Sequence, residues 1–219
     1  METSDNLPQQ VPQPEPSPPL KPRGFTIGEA FSKGWELTKQ HIGFLVGYFI
    51  VIILLSMVFH YRGDDWHWFP LHFIGWIVGA IVDIGFYKSA LMIYDGIKPG
   101  FDQLYKNWRL VISWIVSSIL FTIMFAIGLL LLIFPAFWVL AAFGFFPYFV
   151  VDKQAGPVEA LQESARITKG YRWQVLGLMI AMILLNMLGI LLFFVGILVT
   201  APLSILIMTT AYRKLLGNP

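Results

Sequence analysis

Asp83 sits near the middle of an apolar run, 69–94, in a chain of 219 residues. An ionised carboxylate at the centre of a bilayer costs about 2.5–3.5 kcal/mol on insertion scales, so it faces protein or a wet cavity and not lipid. Counting back by four gives Gly79 and Gly75. Small residues at that spacing form a helix-packing stripe that lets a second helix come close. Two chemistries suit Asp83: a proton or cation site, or an interhelical hydrogen bond, of which the hydrogen bond is the simpler. Asn186, in the apolar run 172–193, reaches Asp83 if the two helices touch. Without that contact it is a packing polar, as are Ser113, Ser117 and Thr122.

A second polar group is Asp64 and Asp65 with Trp66, His67 and Trp68, between two apolar runs. Paired carboxylates can coordinate a cation or act as acid and base. Adjacent positions on a loop converge poorly, and the tryptophans read as an interfacial belt. His41, His60, His67 and His72 fall at the ends of apolar runs, without HxxxH or HExxH spacing. The chain has no Cys, which excludes disulfides, thiolate metal sites and Cys nucleophiles. The expectation is no catalytic motif, no metal, no cofactor and no enzyme.

These residues need helices to position them. With 57% apolar and 13% charged residues and a mean hydropathy of +0.68, the chain is too apolar for a soluble domain. About six apolar runs lie near 41–60, 69–94, 110–133, 136–151, 172–193 and 195–211. A span needs roughly 20 apolar residues to cross about 30 Å of hydrocarbon, and helices satisfy their own backbone there. The fold class is therefore all-α, a polytopic helical membrane protein. Laid over those runs, fourteen of the fifteen Lys and Arg residues fall on one side, and only Arg62 on the other. Cytoplasmic loops are enriched in Lys and Arg, so both termini are expected in the cytoplasm. The net charge of +2, dispersed among aromatic residues at helix ends, points to anionic phospholipid headgroups and not to nucleic acid.

Residues 1–24 hold seven prolines among Gln, Glu and Ser, which keeps them extended and without a core. They read as a solvated tail or as a docking arm for a Pro-binding partner protein. Residues 25–215 form a single membrane domain. Within it, residues 27–55 align with residues 157–185 at an offset of 130. Glu29 matches Glu159, Ala30 matches Ala160, Thr38 matches Thr168 and Lys39 matches Lys169. Each copy reads as a short amphipathic interfacial helix entering a span. A third copy begins near Gly100, where Phe101, Leu104, Tyr105 and Trp108 make an apolar stripe. The expected architecture is three parallel repeats, each an interfacial helix plus a helical hairpin, unlike the inverted repeats of many transporters.

Three further elements stand in the second half: Pro135 in the turn between spans, Pro147 before an aromatic run ending in Asp152, and the segment Gly156 to Gly170 with its GPxEALxxS and TKG elements. With the ending Pro202 to Leu215, these resemble a group of bacterial multi-pass membrane proteins of unknown function. That group includes the membrane domain attached to some glycerophosphoryl diester phosphodiesterases. The resemblance covers about residues 25–215, and departs at Ala136, where the group carries Gly. It implies the architecture and a bacterial cytoplasmic (inner) membrane, and no chemistry. The expected role is a non-enzymatic protein that organises lipid or a partner. The alternative is a small transporter or channel using Asp83, Asn186 and a kink at Pro202.

Overall fold

Helix formation starts where the chain supplies a cap. The Glu29 amide donates to Thr26 Oγ1 (3.2 Å), and the Thr26 amide donates back to the Glu29 carboxylate (3.1 Å). This pair opens α1 (Ile27–His60). In the computed structural model, residues 24–60, 69–131, 133–191 and 196–217 are described. The Pro-rich segment up to residue 23 lies outside the described residues, as do Arg62, Asp64, Asp65 and His67 and the side chain of His72.

The chain continues as α2 (Phe69–Tyr94), the single turn α3 (Gln103–Lys106), a 3-10 turn at Trp108–Leu110, and α4 (Val111–Leu131). There follow α5 (Ile133–Phe143), α6 (Phe146–Lys153), α7 (Pro157–Ile167), α8 (Arg172–Leu191) and α9 (Ile197–Leu215). Every element among the described residues is helical. Among the described residues five segments are long and apolar enough to cross a membrane: Ile27–Met57, Ile74–Tyr94, Trp108–Leu131, Pro135–Lys153 and Arg172–Leu191. The described chain is all-helical, with helices that suit a membrane by length and composition.

Ion pairs fix which helix ends meet. Lys214, at the end of α9, donates to Glu29 at the start of α1 (2.9 Å). Arg213 pairs with Asp95 just beyond α2 and with Asp152 in the last turn of α6. The chain therefore leaves this end of the bundle and returns to it three times. The return helices carry their charges there, and the connections to α4 and α8 are made there.

Three expectations need correction. The run 195–211 forms α9, but this helix is not among the five apolar enough to span alone. It carries Thr200, Ser204, Thr209, Thr210 and Arg213, and its neighbours bury most of it. The third interfacial helix shrinks to one turn of α3 and the 3-10 turn. Asn107 leaves helical geometry between them (φ −101°, ψ 21°), and its amide bonds back to the Gln103 carbonyl (3.4 Å), competing with continuation. Lys106 donates to Asp102 across α3 and holds that carboxyl below the usual carboxylate range. Finally, the fourth span is not one helix, because a turn at residues 144 and 145 separates α5 from α6.

That break lies beside Pro147, which has no amide hydrogen to continue a helix. Lipid cannot satisfy the freed backbone, so protein must. Ser164, buried on α7, does this: its hydroxyl accepts the Phe145 amide (3.1 Å) and donates to the Ala142 carbonyl (2.9 Å). Thr168 adds a bond to the same carbonyl (3.2 Å). Freed of helical continuity, α6 turns inward, and all of its residues from Phe146 to Val151 are buried.

The first and last aligned copies differ at one place. In the last, α7 ends and a turn precedes Arg172. In the first, α1 runs through with a kink at His41 (φ −122°, ψ 20°), near the residue where the span was expected to begin. Helix α1 packs closely on α9. A Cβ on Gly34 would stand 3.0 Å from the Ile207 amide nitrogen and 3.1 Å from its Cα. At the α4–α5 turn, the closeness that Gly at position 136 would bring comes instead from Gly128, whose Cβ would lie 3.0 Å from Ala136 Cα.

Ser164→Ala leaves the Phe145 amide and one bond of the Ala142 carbonyl unmet, and is expected to cost roughly 1–3 kcal/mol. Thermal unfolding in detergent measures it, and a midpoint equal to wild type would show that the break needs no such repair.

Candidate functional site

Asp83 lines a cleft of about 430 Å³ between α1, α2 and α4. Ile52 and Leu55 of α1 form one wall, Trp114 and Ile115 of α4 the other, and Gly75 and Gly79 share the α2 side with Asp83. The carboxylate is exposed to this space. Among the described residues no hydrogen bond or ion pair reaches it. The nearby Tyr48 hydroxyl is committed to the Val82 carbonyl (3.0 Å). A cleft this apolar with a single carboxylate suits an amphiphile, a proton or a small cation.

The residues grouped by sequence separate here. Gly79 does not meet a second helix, since a Cβ there would find nothing within 4 Å. With Gly75 it lines the open cleft, while a close approach of two helices falls at Gly34. Asn186 does not join Asp83. Its amide donates to Ser204 on α9 (2.8 Å) and to the Met182 carbonyl (2.9 Å), and the Ser204 hydroxyl passes on to the Thr200 carbonyl (2.8 Å). This chain ties α8 to α9 close to Pro202, which lies buried inside α9. Ser117 is likewise spent on packing, donating to the Pro157 carbonyl at the start of α7 (3.3 Å). Among the described residues no group of three His, Cys, Asp or Glu residues is placed to hold a metal ion.

The densest polar convergence is elsewhere, at the end where the hairpins close. Arg213, 6% exposed, binds Asp152 through both terminal nitrogens (3.0 and 3.2 Å) and reaches Asp95 through one of them. Tyr212 donates its hydroxyl to the same Asp152 (3.1 Å) and stacks on Tyr148 at 5.0 Å. Tyr148 in turn donates to the Ile205 carbonyl (3.1 Å). Two carboxylates around one buried guanidinium, with a planar two-point contact, is the geometry that offsets burial of charge. Sequence reasoning missed this node. A signal existed: Asp95 precedes Pro99 and Gly100 as Asp152 precedes Gly156 and Pro157, each at the close of a return helix.

Residues 71–215 match a family model described as Domain of unknown function (DUF7847). No curated protein and no solved structure matches the chain.

Two outcomes check these assignments. Gly34→Ala is expected to destabilise by about 1–3 kcal/mol through overpacking, while Gly79→Ala leaves the unfolding midpoint within error of wild type. Asp152→Ala leaves the buried guanidinium with only the half-exposed Asp95 and is expected to cost about 3 kcal/mol, with most of it restored in an Arg213→Met, Asp152→Leu double variant. Unfolding midpoints of the purified variants decide both.

Proposed function

The chain belongs to the DUF7847 family, and from that premise we propose that it is a non-enzymatic membrane protein that organises anionic phospholipid, or a partner held there, at the cytoplasmic face of a bacterial inner membrane. One observation carries the reading. Three cations stand over tryptophan rings: Lys39 over Trp35 (5.9 Å), Arg109 over Trp108 (5.9 Å) and Arg172 over Trp138 (4.8 Å). Lys39 stands two residues before the kink of α1 at His41, Arg109 two residues before α4, and Arg172 at the first residue of α8. Tryptophan and cation at headgroup level are the pairing that holds a protein at an anionic interface.

The aligned copies support a parallel repeat behind that placement. The Gly156 amide donates to Glu159 (3.2 Å) as the Thr26 amide donates to Glu29. Thr168 and Thr38 each donate back to the carbonyl four residues earlier (2.9 and 2.8 Å). A repeat without inversion presents its interfacial segments to one leaflet, which suits a surface role better than alternating access.

A second reading, transport, rests on Asp83: an intramembrane carboxylate beside an open cleft, with no ion pair or hydrogen bond among the described residues.

Vesicles containing donor- and acceptor-labelled phosphatidylglycerol discriminate the two. The full chain is expected to raise energy transfer in proportion to its amount, with no flux of solute. Flux that scales with protein and disappears in Asp83→Asn would overturn the lipid reading in favour of transport. The absence of native Cys makes orientation testable as well. Glu36→Cys is expected to resist an impermeant maleimide in intact cells, while Asp64→Cys is labelled.

A further inference from the structure

Of the cations at the basic end, Arg172 is distinguished by its surroundings. It begins α8 and its guanidinium lies 4.8 Å from the ring centre of Trp138 on α5. Trp173, 66% exposed, meets Trp138 edge to face at 6.4 Å and 78°. A shallow hollow between α5 and α8 is lined by Phe137, Trp138, Ala141, Arg172, Trp173 and Leu176. The other arginines of the adjoining segments have acids: Arg166 pairs with Glu163, and Arg213 with Asp152 and Asp95. Arg172 has no acidic partner among the described residues, and its Nε is buried with no acceptor. A buried N–H donor without an acceptor carries a desolvation penalty that a bound acceptor removes.

We propose that Arg172, Trp138 and Trp173 form a binding site for the headgroup phosphate of one anionic phospholipid. The inference rests on the lipid-organising reading and gives it a location. Guanidinium and phosphate match in charge and in two-point hydrogen-bonding geometry. The start of α8 adds the partial positive charge of a helix N-terminus, which disfavours a lone arginine and favours an anion beside it. Lys169, exposed three residues earlier, supplies a second cation at the same turn. Apolar surface continues below the hollow along α8, where Ile180, Ile183, Leu184 and Met187 are exposed. That surface accommodates acyl chains, which is why the occupant is a lipid and not free phosphate. Trp138 holds the guanidinium by its ring face, so the arginine waits in place with little rotamer entropy left to lose.

Native mass spectrometry of the full chain in detergent, titrated with phosphatidylglycerol, phosphatidylethanolamine or inorganic phosphate, tests the site. Wild type is expected to retain phosphatidylglycerol, and Arg172→Gln to lower that retention about tenfold, the loss of one charge-assisted contact. Arg172→Lys should keep part of it. Arg166→Gln, which removes the same charge from an arginine already paired with Glu163, should change little. Equal retention in Arg172→Gln with a wild-type unfolding midpoint would overturn the proposal. So would an equal loss in Arg166→Gln, or displacement of the lipid by inorganic phosphate. Arg172-dependent adducts without lipid clustering in vesicles would leave the site standing and remove the organising role. Clustering without such adducts would remove the site alone.

Discussion

A single buried guanidinium constrains this bundle. Arg213 sits at the end of the last helix, and its two acids come from the closing turns of the other two returning segments. An unpaired charge at that depth would cost several kcal/mol, so α9 can be buried only in the position that brings Asp152 and Asp95 to it. Once that is met, the rest of α9 follows. Tyr212 falls against Tyr148, Ile207 against Gly34, and Ser204 against Asn186.

Burial of α9 explains a feature that hydropathy alone obscures. This helix is the least apolar of the long ones, and yet ten of its residues are buried. Three of its hydroxyl groups bond to its own carbonyls, Ser204 to Thr200 (2.8 Å), Thr209 to Ile205 (2.8 Å) and Thr210 to Leu206 (2.9 Å), while the Thr200 hydroxyl is buried without a partner among the described residues. Polar side chains satisfied within their own helix can be packed as if they were apolar. The same logic governs the break between α5 and α6, where Ser164 closes the backbone that Pro147 leaves open. The result is a core whose polar atoms are mostly consumed, beside one cleft in which a carboxylate is not.

That contrast bears on function. The first and last aligned segments share caps and hydroxyl back-bonds, and cations and tryptophans gather at one end of the bundle. The cleft at Asp83 lies midway along α2, away from that end. Lipid organisation draws on the first feature and transport on the second, and they occupy different faces of one scaffold.

Much of the fold was legible in sequence. The position of each long helix followed from apolar run length, since lipid tolerates neither unpaired backbone nor frequent charge, and the His41 kink falls where an interfacial segment was expected to give way to a span. The gathering of cations at one end and the isolation of Asp83 in an apolar run are also properties of the linear chain. What the tertiary structure alone decided is which polar groups meet. Asp152 and Asp95 lie 61 and 118 residues from Arg213, and as single letters they look like ordinary helix-end charges. Gly34 and Gly79 carry the same absent side chain, but only one of them faces a backbone. Periodicity reports where a residue lies on its own helix. Pairing depends on the rotation and depth of the helix opposite, which are set by packing and are not written in either segment.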